Sequence, residues 1–429
     1  MTAIRRPVVV AMCVVALLAA LTGTASATND TYFSRQWALS QIGGPQAWTR
    51  STGSGITIGL VDTGVDLGHP DLAGKIAATA DCVGHACITG GGQDNHGHGT
   101  IVSGIASANT GNGKGIAGVA PDARLVVAKV LNGDGEGRVE DINNGIRWAV
   151  DNGARVVNLS LGDPNFLVSS VLGTPLRTGI EYAWSKGAVP VLASGNYATG
   201  VGDLGTGNYG SVNTLVVGAT DRSGNVPSYS SPVGNAKWAL VAPGGAGSGG
   251  ADSNIISTFP VASGGSGYAS ASGTSMAAPH VSAAVALLLA QGLTPAAAVA
   301  RILATADKSV ACGRGCQGRL NVAAAVGADP VAPTTVVSPV TTPATSAPPT
   351  TVDRSTTTSP PAETSTTTTV PPRSVQATDP PELAAPVPLP LPVDAAPRDR
   401  NAAAVIAAVL VVLVGSAVGA VGARALRAG

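Results

Sequence analysis

The sequence is poor in aromatic and charged residues. Aromatic residues make up 3% of the 429 residues, and Asp, Glu, Lys and Arg together make up 12%. The 25 basic and 25 acidic side chains leave no formal net charge, and neither sign forms a long run. Nucleic-acid binders need a positively charged surface, and single-strand binders also need aromatic rings for stacking. The composition therefore argues against a nucleic-acid partner.

Cysteine is also scarce, and its spacing favours disulfides over a metal site. Of the five cysteines, Cys13 lies in a predicted signal peptide, which leaves Cys82, Cys87, Cys312 and Cys316. Neither close pair has the Cys-x-x-Cys spacing of a zinc site or a neighbouring pair of histidines. In an exported protein an even number of cysteines indicates two disulfides. Three pairings are open, and closeness in sequence favours Cys82 with Cys87 and Cys312 with Cys316.

The two ends of the chain predict export and membrane attachment. Residues 1–27 contain two arginines, an apolar segment and a final Ala-Ser-Ala, which is the layout of a cleaved signal peptide. Residues 328–400 are rich in Pro, Thr and Ser and predict a disordered linker, because they cannot bury enough apolar surface to fold. Residues 401–422 form an uncharged apolar stretch close to the ~20 residues that a membrane-spanning helix needs. The alternative for this stretch is a buried core helix.

Arginines follow the predicted span in residues 423–429, which favours a cytoplasmic tail because positive residues are commoner on that side. The chain between the two ends, residues 28–327, then lies outside the cytoplasm as a folded domain. We therefore expect a single-pass protein of the cell membrane.

Within residues 28–327, short apolar runs alternate with amphipathic helical patterns. The predicted strands are 56–61, 125–130, 156–159, 189–193 and 215–219, and the predicted helices are 139–152 and 176–186. This alternation predicts an α/β fold with a mostly parallel sheet flanked by helices. In such sheets the reactive groups collect at the carboxyl ends of the strands.

Polar residues follow several of these elements, but each residue alone is weak evidence for a catalytic role. Asp62 follows the first strand and Asn196 follows the strand 189–193, but Asp and Asn are also common turn residues. His98 lies in a Gly-rich loop before a small-residue helix, and with His96 it suggests a metal pair that lacks a third ligand. Ser275 lies at the start of an Ala/Val/Leu helix, where we expect it to be exposed; a serine there is more often an N-cap.

Three motifs in one order change this interpretation. Val-Asp-Thr-Gly-Val-Asp at 61–66, His-Gly-Thr at 98–100 and Gly-Thr-Ser-Met-Ala-Ala-Pro-His at 273–280 occur in that sequence. Together they resemble the catalytic motifs of the subtilisin-like serine proteases, the subtilases, and the resemblance covers roughly residues 40–327. It implies a subtilisin-like three-layer α/β peptidase domain over residues 28–327.

The resemblance also implies a serine endopeptidase with an Asp-His-Ser triad. Ser275 would be the nucleophile, His98 the general acid and base, and Asp62 the group that orients the imidazole and stabilises its charged form. Asn196 matches the residue that donates to the oxyanion. The substrate would be a protein or peptide.

Other segments match more loosely. Residues 158–162 resemble one wall of the primary specificity pocket, with Ser160, Leu161 and Gly162 as substrate-binding residues. Residues 135–138 resemble the edge that pairs with extended substrate, through Gly135 and Gly137, and Gly195 precedes the oxyanion residue. The sequence also departs from the family pattern at two places. Ile101 replaces the histidine that usually follows His-Gly-Thr, and residues 207–210 replace a Tyr-Pro pattern that borders the primary pocket. The substrate side chain that the pocket prefers therefore stays open.

No metal cofactor is predicted. Residues 109–114 lie where many subtilases have a calcium loop, but they contain no carboxylate, so calcium binding is left open. The layout of signal peptide, subtilase domain, Pro/Thr-rich linker and terminal membrane span resembles the mycosins, proteases associated with type VII secretion. This resemblance implies secretion-complex proteins as partners. It also leaves an alternative function, a structural component of such a complex with proteolysis secondary.

Overall fold

The computed structural model of the protein describes residues 28–84, 86–161, 176–196, 209–233, 236–261, 267–327 and 387–389. The predicted signal peptide, membrane span and cytoplasmic tail lie outside these residues, as do most of the predicted linker and Gly162. Within the described part of the chain, no helix has the length and apolar character needed to cross a membrane.

A central sheet of eight strands has the order β3-β2-β4-β1-β5-β6-β7-β8. Its strands are β1 (Thr57–Asp62), β2 (Ile76–Asp81), β3 (Ile88–Thr89), β4 (Arg124–Lys129), β5 (Val156–Leu159), β6 (Val189–Ala193), β7 (Leu215–Thr220) and β8 (Trp238–Pro243). All neighbours pair in parallel except β2 and β3. Strands of a parallel sheet are covered on both faces and are apolar throughout. The buried residues of β5, β6 and β7 follow this rule.

Helices cover both faces of the sheet. They are α1 (Trp37–Gln41), α2 (Gly44–Ala47), α3 (His98–Ser107), α4 (Val139–Asp151), α5 (Arg177–Ser185), α6 (Thr274–Ala290), α7 (Pro295–Thr305) and α8 (Val322–Gly327). On one face α3 packs against α6, and α6 contacts β5, β6, β7 and β8. On the other face α4 packs against α5 and against β1 and β4. The predicted α/β fold with a mostly parallel sheet between helices is therefore confirmed.

Helix α6 is buried on all sides. Every residue from Thr274 to Leu289 is buried, and the helix contains no charged side chain. A helix that is apolar all round belongs to a protein core. Its many alanines allow close packing against α3 and the sheet, so α6 is the central element of the layer that carries the serine motif.

The structure also contains strands that the sequence analysis missed. The five predicted strands correspond to β1, β4, β5, β6 and β7, with ends that differ by one residue at most. The sequence Ile-Ala-Ala-Thr-Ala-Asp of β2 has little strand propensity, and pairing with β4 determines its conformation. Strand β8 lies at the sheet edge against β7 and was also missed.

A second, antiparallel sheet has the order β11-β10-β9, with β9 (Ile255–Thr258), β10 (Tyr268–Ala271) and β11 (Val387–Pro388). Strand β11 belongs to the segment predicted to be a disordered linker. That prediction does not hold for residues 387–389, because they find an apolar pocket and a free strand edge on the folded domain.

Both preferred disulfides are confirmed. Cys82 bonds to Cys87 across the turn between β2 and β3, and Cys312 bonds to Cys316 in the loop after α7. Each bridge closes a short loop.

Candidate active site

Sequence-distant residues meet at the carboxyl edge of the central sheet. Strands β1, β5 and β6 are neighbours there, and they lead to Asp62, Ser160 and Asn196. Helices α3 and α6 start at the same edge with His98 and Thr274 as their first residues. The expectation that the candidate residues collect at this edge is therefore confirmed.

A carboxylate and an imidazole form the best-defined contact of the site. Asp62 Oδ1 lies 2.7 Å from His98 Nδ1 and also accepts the Thr63 N–H at 2.7 Å. The Asp62 side chain is fully buried, whereas 22% of the His98 side chain is accessible. Because the Asp62 carboxylate can only accept a hydrogen bond, His98 Nδ1 carries the proton, and the neutral imidazole has its lone pair on Nε2.

The charge around His98 favours the protonated imidazole. Burial by itself lowers the pKa of His98, but the charge of Asp62, the hydrogen bond to Asp62 and the charge of Asp94 outweigh burial and raise it above 6.5. The imidazole is therefore a stronger base than a free histidine, which suits a group that must accept a proton from a hydroxyl.

The start of α3 approaches the Asp62 loop closely because residue 99 is a glycine. A Cβ atom at Gly99 would lie 2.1 Å from the Gly64 carbonyl oxygen and 3.2 Å from Asp62 Oδ1. Any larger residue would push α3 away from the loop. The glycine of the His-Gly-Thr motif is thus needed for the hydrogen bond between Asp62 and His98.

Two buried charged residues brace these loops, and the sequence analysis missed both roles. Asp94 accepts hydrogen bonds from the Thr63 hydroxyl, the Gly97 N–H and the Thr100 N–H. Lys129 Nζ donates to the Thr63 carbonyl, Asn95 Oδ1 and the Leu131 carbonyl at 2.7 to 2.8 Å. A lysine near the end of a predicted strand gives no sign of these partners, because Thr63 and Asn95 lie in other segments of the chain.

Ser275 is the second residue of α6, and the N-cap is Gly273, so Ser275 is not an N-cap. The expectation that Ser275 is exposed is wrong, because only 7% of the residue is accessible. The Ser160 carbonyl lies against it and accepts the Ser275 hydroxyl at 3.1 Å. In this structure the hydroxyl therefore points to Ser160 and does not donate to His98.

A buried polar network supports the backbone of Ser275. Pro279 lies four residues later in α6 and has no N–H to donate to the Ser275 carbonyl. Ser160 Oγ supplies the missing donor at 2.7 Å. Asn158 Nδ2 donates to Ser160 Oγ at 2.9 Å, and Ser282 Oγ donates to Asn158 Oδ1 at 2.8 Å. This network ties the first turn of α6 to the end of β5.

The Asn196 amide is oriented by the start of α6. Its Oδ1 accepts the Thr274 N–H at 2.9 Å and the Thr274 hydroxyl at 3.0 Å. Because both of these groups are donors, the amide atom that they contact must be the oxygen, and the other must be the nitrogen. The Gly195 N–H donates to Thr274 Oγ1 at 3.1 Å. Asn196 Nδ2 therefore points away from α6 and can donate to the oxygen of a bound group. Thr274 is a positioning residue that the sequence analysis did not single out.

The predicted substrate-binding residues that the structure describes lie on three segments, at residues 135–137, 160–161 and 195. Leu161 is buried beside Ser160, and Gly195 adopts a φ of 97°, a value that favours glycine. Gly135 has a φ of 79°, and a Cβ there would lie 3.1 Å from His96 Nε2. His96 thus packs on the Gly135 side, with its ring centroid 6.3 Å from that of His98.

Gly137 is limited by close packing. A Cβ at this position would lie 2.4 Å from the Val130 carbonyl oxygen. The loop around it is closed by the Asn132 side chain, which accepts the N–H groups of Asp134 and Glu136. The segment that resembles the substrate-pairing edge therefore has a defined shape without substrate.

Two carboxylates from outside the loop 109–114 lie against it. Asp30 accepts the Gly111 N–H, and the buried Asp71 accepts Asn112 Nδ2 and the Ile116 N–H. Burial and, to a smaller extent, the charge of Asp30 raise the pKa of Asp71 to about 6, although the hydrogen bonds from Ile116 and Asn112 oppose the change. No group of three His, Cys, Asp or Glu residues in the described ranges could hold a metal.

Comparisons with known proteins agree with this geometry. A model of the subtilase family matches residues 53–370. Thermitase from Thermoactinomyces vulgaris is 41% identical over 302 residues, which cover 70% of this chain and 98% of thermitase. Subtilisin Savinase from Lederbergia lenta is 41% identical over 255 residues, 59% of this chain and 83% of Savinase.

A solved structure supports the same assignment. A protease from Pseudoalteromonas arctica PAMC 21717 aligns with a TM-score of 0.59 and 30% identity, covering 70% of this chain and 99% of that protein. The family match covers most of the chain, and the relatives are proteases with the same fold. This chain therefore belongs to the subtilase family and is a subtilisin-like serine endopeptidase.

Proposed function

We propose that this subtilase is a membrane-anchored, extracytoplasmic endopeptidase that cleaves peptide bonds through an acyl-enzyme on Ser275. The contact between Asp62 and His98 at 2.7 Å carries the assignment, because it fixes a basic Nε2 at the edge where α6 presents a serine. Acyl transfer needs such a base next to a hydroxyl.

In the proposed reaction, substrate binding turns the Ser275 hydroxyl from the Ser160 carbonyl toward His98. His98 Nε2 accepts the proton while Ser275 Oγ attacks the peptide carbonyl carbon, and Asp62 stabilises the imidazolium. Asn196 Nδ2 and the Ser275 N–H donate to the oxyanion. His98 then protonates the leaving amine, and water hydrolyses the acyl-enzyme with His98 again acting as base.

Active-site labelling tests this chemistry. A fluorophosphonate should label the wild type on Ser275, with a rate that rises as His98 loses its proton. Ser275→Ala should abolish labelling, while Ser272→Ala, a matched change three residues earlier, should retain it. Unchanged labelling of the Ser275→Ala variant would remove the nucleophile assignment.

The anchor is supported by the apolar stretch 401–422 and the arginines after it. Flotation of the full chain with liposomes measures it directly. We expect the full chain to float with the vesicles after alkaline washing and a chain lacking residues 401–422 to stay in the dense fraction. Release of the full chain by the alkaline wash would contradict a membrane span.

A second candidate is a mycosin-like role in a type VII secretion complex, with proteolysis secondary. The layout of signal peptide, subtilase domain, linker and span supports it. Expression of Ser275→Ala in a strain that lacks the protein separates the candidates. Restored export of secreted substrates favours the structural role, whereas lost export with normal membrane levels of the variant favours proteolysis.

We also propose that a calcium ion binds at the loop 109–114. Two carboxylates, Asp30 and the buried Asp71, lie against this loop and accept hydrogen bonds from the Asn112 N–H and Asn112 Nδ2, so oxygen ligands that suit calcium collect beside it. A bound Ca²⁺ would neutralise the two facing carboxylates and stabilise the loop. Chelation should therefore lower the Tm of the wild type but not that of Asp71→Asn; equal Tm values with and without chelator would exclude a stabilising ion.

A further inference from the structure

Strand β11 attaches a distant part of the chain to the catalytic domain. The Leu389 N–H donates to the Tyr268 carbonyl at 2.8 Å. Val387 and Pro388 lie opposite Ser270 and Ala269 in an antiparallel pair with β10. Only 2% of Leu389 is accessible. The model of the family ends at residue 370, so this contact lies outside the part of the chain that the family shares.

The pocket under Leu389 is built by elements far from it in sequence. Leu389 shares an apolar cluster with Tyr32, Ala108, Ile116, Ile256 and Tyr268. The ring centroids of Tyr32 and Tyr268 lie 5.2 Å apart, and the His69 ring packs edge-on against Tyr268 with a centroid distance of 5.3 Å. The pocket is therefore formed by packed side chains of the domain, and we refer to it and the β10 edge together as the β10 docking surface.

The sequence around Leu389 suits a strand that pairs on one side. Residues 386–393 alternate proline with Val or Leu in the order Pro-Val-Pro-Leu-Pro-Leu-Pro-Val. In an antiparallel pair the N–H groups of alternate residues face the partner strand. Leu389 is at such a position, and Pro388 falls at the next, where the missing N–H faces away from β10. The alternation thus keeps the donors that β10 needs and leaves an outer edge without N–H donors for a further strand.

We propose that the β10 docking surface binds the chain's own residues 387–389 and so holds the catalytic domain close to the membrane. The second part rests on the proposed membrane anchor. From Leu389 the chain needs only residues 390–401 to reach the predicted span, which at about 3.1 Å per residue extend about 40 Å. Without docking, residues 328–401 would form the tether and could extend about 230 Å at the same rise.

Docking also determines orientation. Strand β10 ends at Ala271, four residues before Ser275, so the attachment point lies on the segment that leads into α6. A short tether at this point limits how the cleft can turn relative to the bilayer. The substrates that fit are then polypeptides presented within tens of ångströms of the membrane surface.

Hydrogen exchange tests docking without reference to the membrane. The full chain in detergent, carrying Ser275→Ala to prevent self-cleavage, should show slow exchange in peptides covering Tyr268–Ala271 and residues 387–391. Leu389→Asp should increase exchange in both peptides at least tenfold, and the matched linker change Leu383→Asp should not. Leu389→Pro, which removes the N–H donor and keeps an apolar side chain, should also increase it. Peptides from β1 report whether each variant is folded, and equal exchange in wild type and Leu389→Asp would overturn docking.

Distance measurement in a bilayer tests the tether. A donor dye is attached at Ile88→Cys, an exposed position, and acceptor dyes are attached to lipids of a nanodisc. Energy transfer from donor to acceptor should be efficient in the wild type, with a narrow distribution of efficiencies. Leu389→Asp should broaden and lower it, and identical distributions would overturn the tether. Failure of the wild type to enter nanodiscs would remove the anchor and the tether together, while the exchange result would still decide docking.

Discussion

At the scale of single residues, the site depends on hydrogen bonds between segments that are far apart in sequence. Asp62 Oδ1 accepts hydrogen bonds from the Thr63 N–H and from His98 Nδ1, whereas Oδ2 has no hydrogen-bond partner among the described residues. The two donors therefore bind the same oxygen, and the charge of the carboxylate raises the pKa of the His98 imidazole against the opposing effect of burial.

Replacing Asp62 tests this coupling. Asp62→Asn removes the charge that raises the pKa of His98, so the acidic limb of the kcat/KM profile should move to lower pH. The amide also loses control of the imidazole tautomer, and kcat should fall about 10⁴-fold. Stopped-flow assays between pH 5 and 9 measure both effects. A loss of rate with an unmoved acidic limb would show that another group determines the pH dependence.

The oxyanion donor can be separated from the residue that positions it. Asn196→Ala removes the Nδ2 donor and should reduce kcat by about 10² to 10³ with little change in KM. Thr274→Val removes the hydroxyl that contacts Asn196 Oδ1 but keeps the backbone donor, so its effect on kcat should be smaller. Equal losses in the two variants would contradict Nδ2 as the direct donor. Steady-state kinetics on one peptide substrate compares them.

Sequence analysis identifies Asp62, His98, Ser275 and Asn196 because each belongs to a local motif or follows an apolar strand. It does not identify Lys129, Asp94 or Thr274, because their roles depend on partners 30 to 80 residues away. It also expects an exposed Ser275, since a helix start on its own gives no sign that the Ser160 carbonyl covers the hydroxyl.

At the scale of elements, the proline inside α6 has a specific consequence. A proline in a helix leaves the carbonyl four residues earlier without its usual donor. Here that carbonyl belongs to Ser275, and Ser160 from the end of β5 replaces the donor. This hydrogen bond therefore joins the segment that resembles the specificity pocket to the helix that carries the serine, beside those from Ser275 Oγ and Ser282 Oγ to the same segment.

A double-mutant cycle measures this link. Ser160→Ala leaves the buried Ser275 carbonyl unpaired and should lower the free energy of unfolding by about 1 to 3 kcal/mol. Pro279→Ala restores a backbone N–H within α6, so Ser160→Ala should cost less in the Pro279→Ala background. Urea unfolding of the four proteins gives the coupling energy. Additive effects would mean that the Ser275 carbonyl finds another donor.

The elements themselves were predictable to different extents. Strands with continuous Val and Leu runs, such as β6 and β7, were predicted, because buried parallel strands have a strong local pattern. Strand β2 was missed because it consists mainly of small residues, and β11 because a proline-rich segment is normally extended and solvated. Both depend on a partner strand that the local sequence does not reveal.

At the scale of the whole molecule, stability and pH are linked through buried titratable groups. His280 lies within α6, its Nδ1 contacts the Met276 carbonyl, and only 3% of the residue is accessible. Burial lowers its pKa from 6.5 to about 4, although the hydrogen bond to Met276 opposes the change. Between these pH values the unfolded chain binds a proton at His280 that the folded chain does not, so folding becomes less favourable as pH falls.

His280→Gln isolates this contribution, because Gln can donate to the Met276 carbonyl but does not titrate. From pH 7 to pH 4 the wild type should lose about 3 kcal/mol more of its free energy of unfolding than the variant does. Asp71, whose pKa is raised to about 6, acts in the opposite direction but cancels in the difference. Urea titrations across this range measure it, and a constant difference would contradict a neutral His280.

The position of α6 near the end of the domain also affects when activity can arise. Its residues follow β1 to β10 in the chain, and it packs across β5, β6, β7 and β8. During synthesis the residues of β1 and α3 are made early, but the nucleophile Ser275 is made only after all the strands of the central sheet. A partly synthesised chain therefore has no complete triad, and activity can arise only once α6 has packed against the sheet.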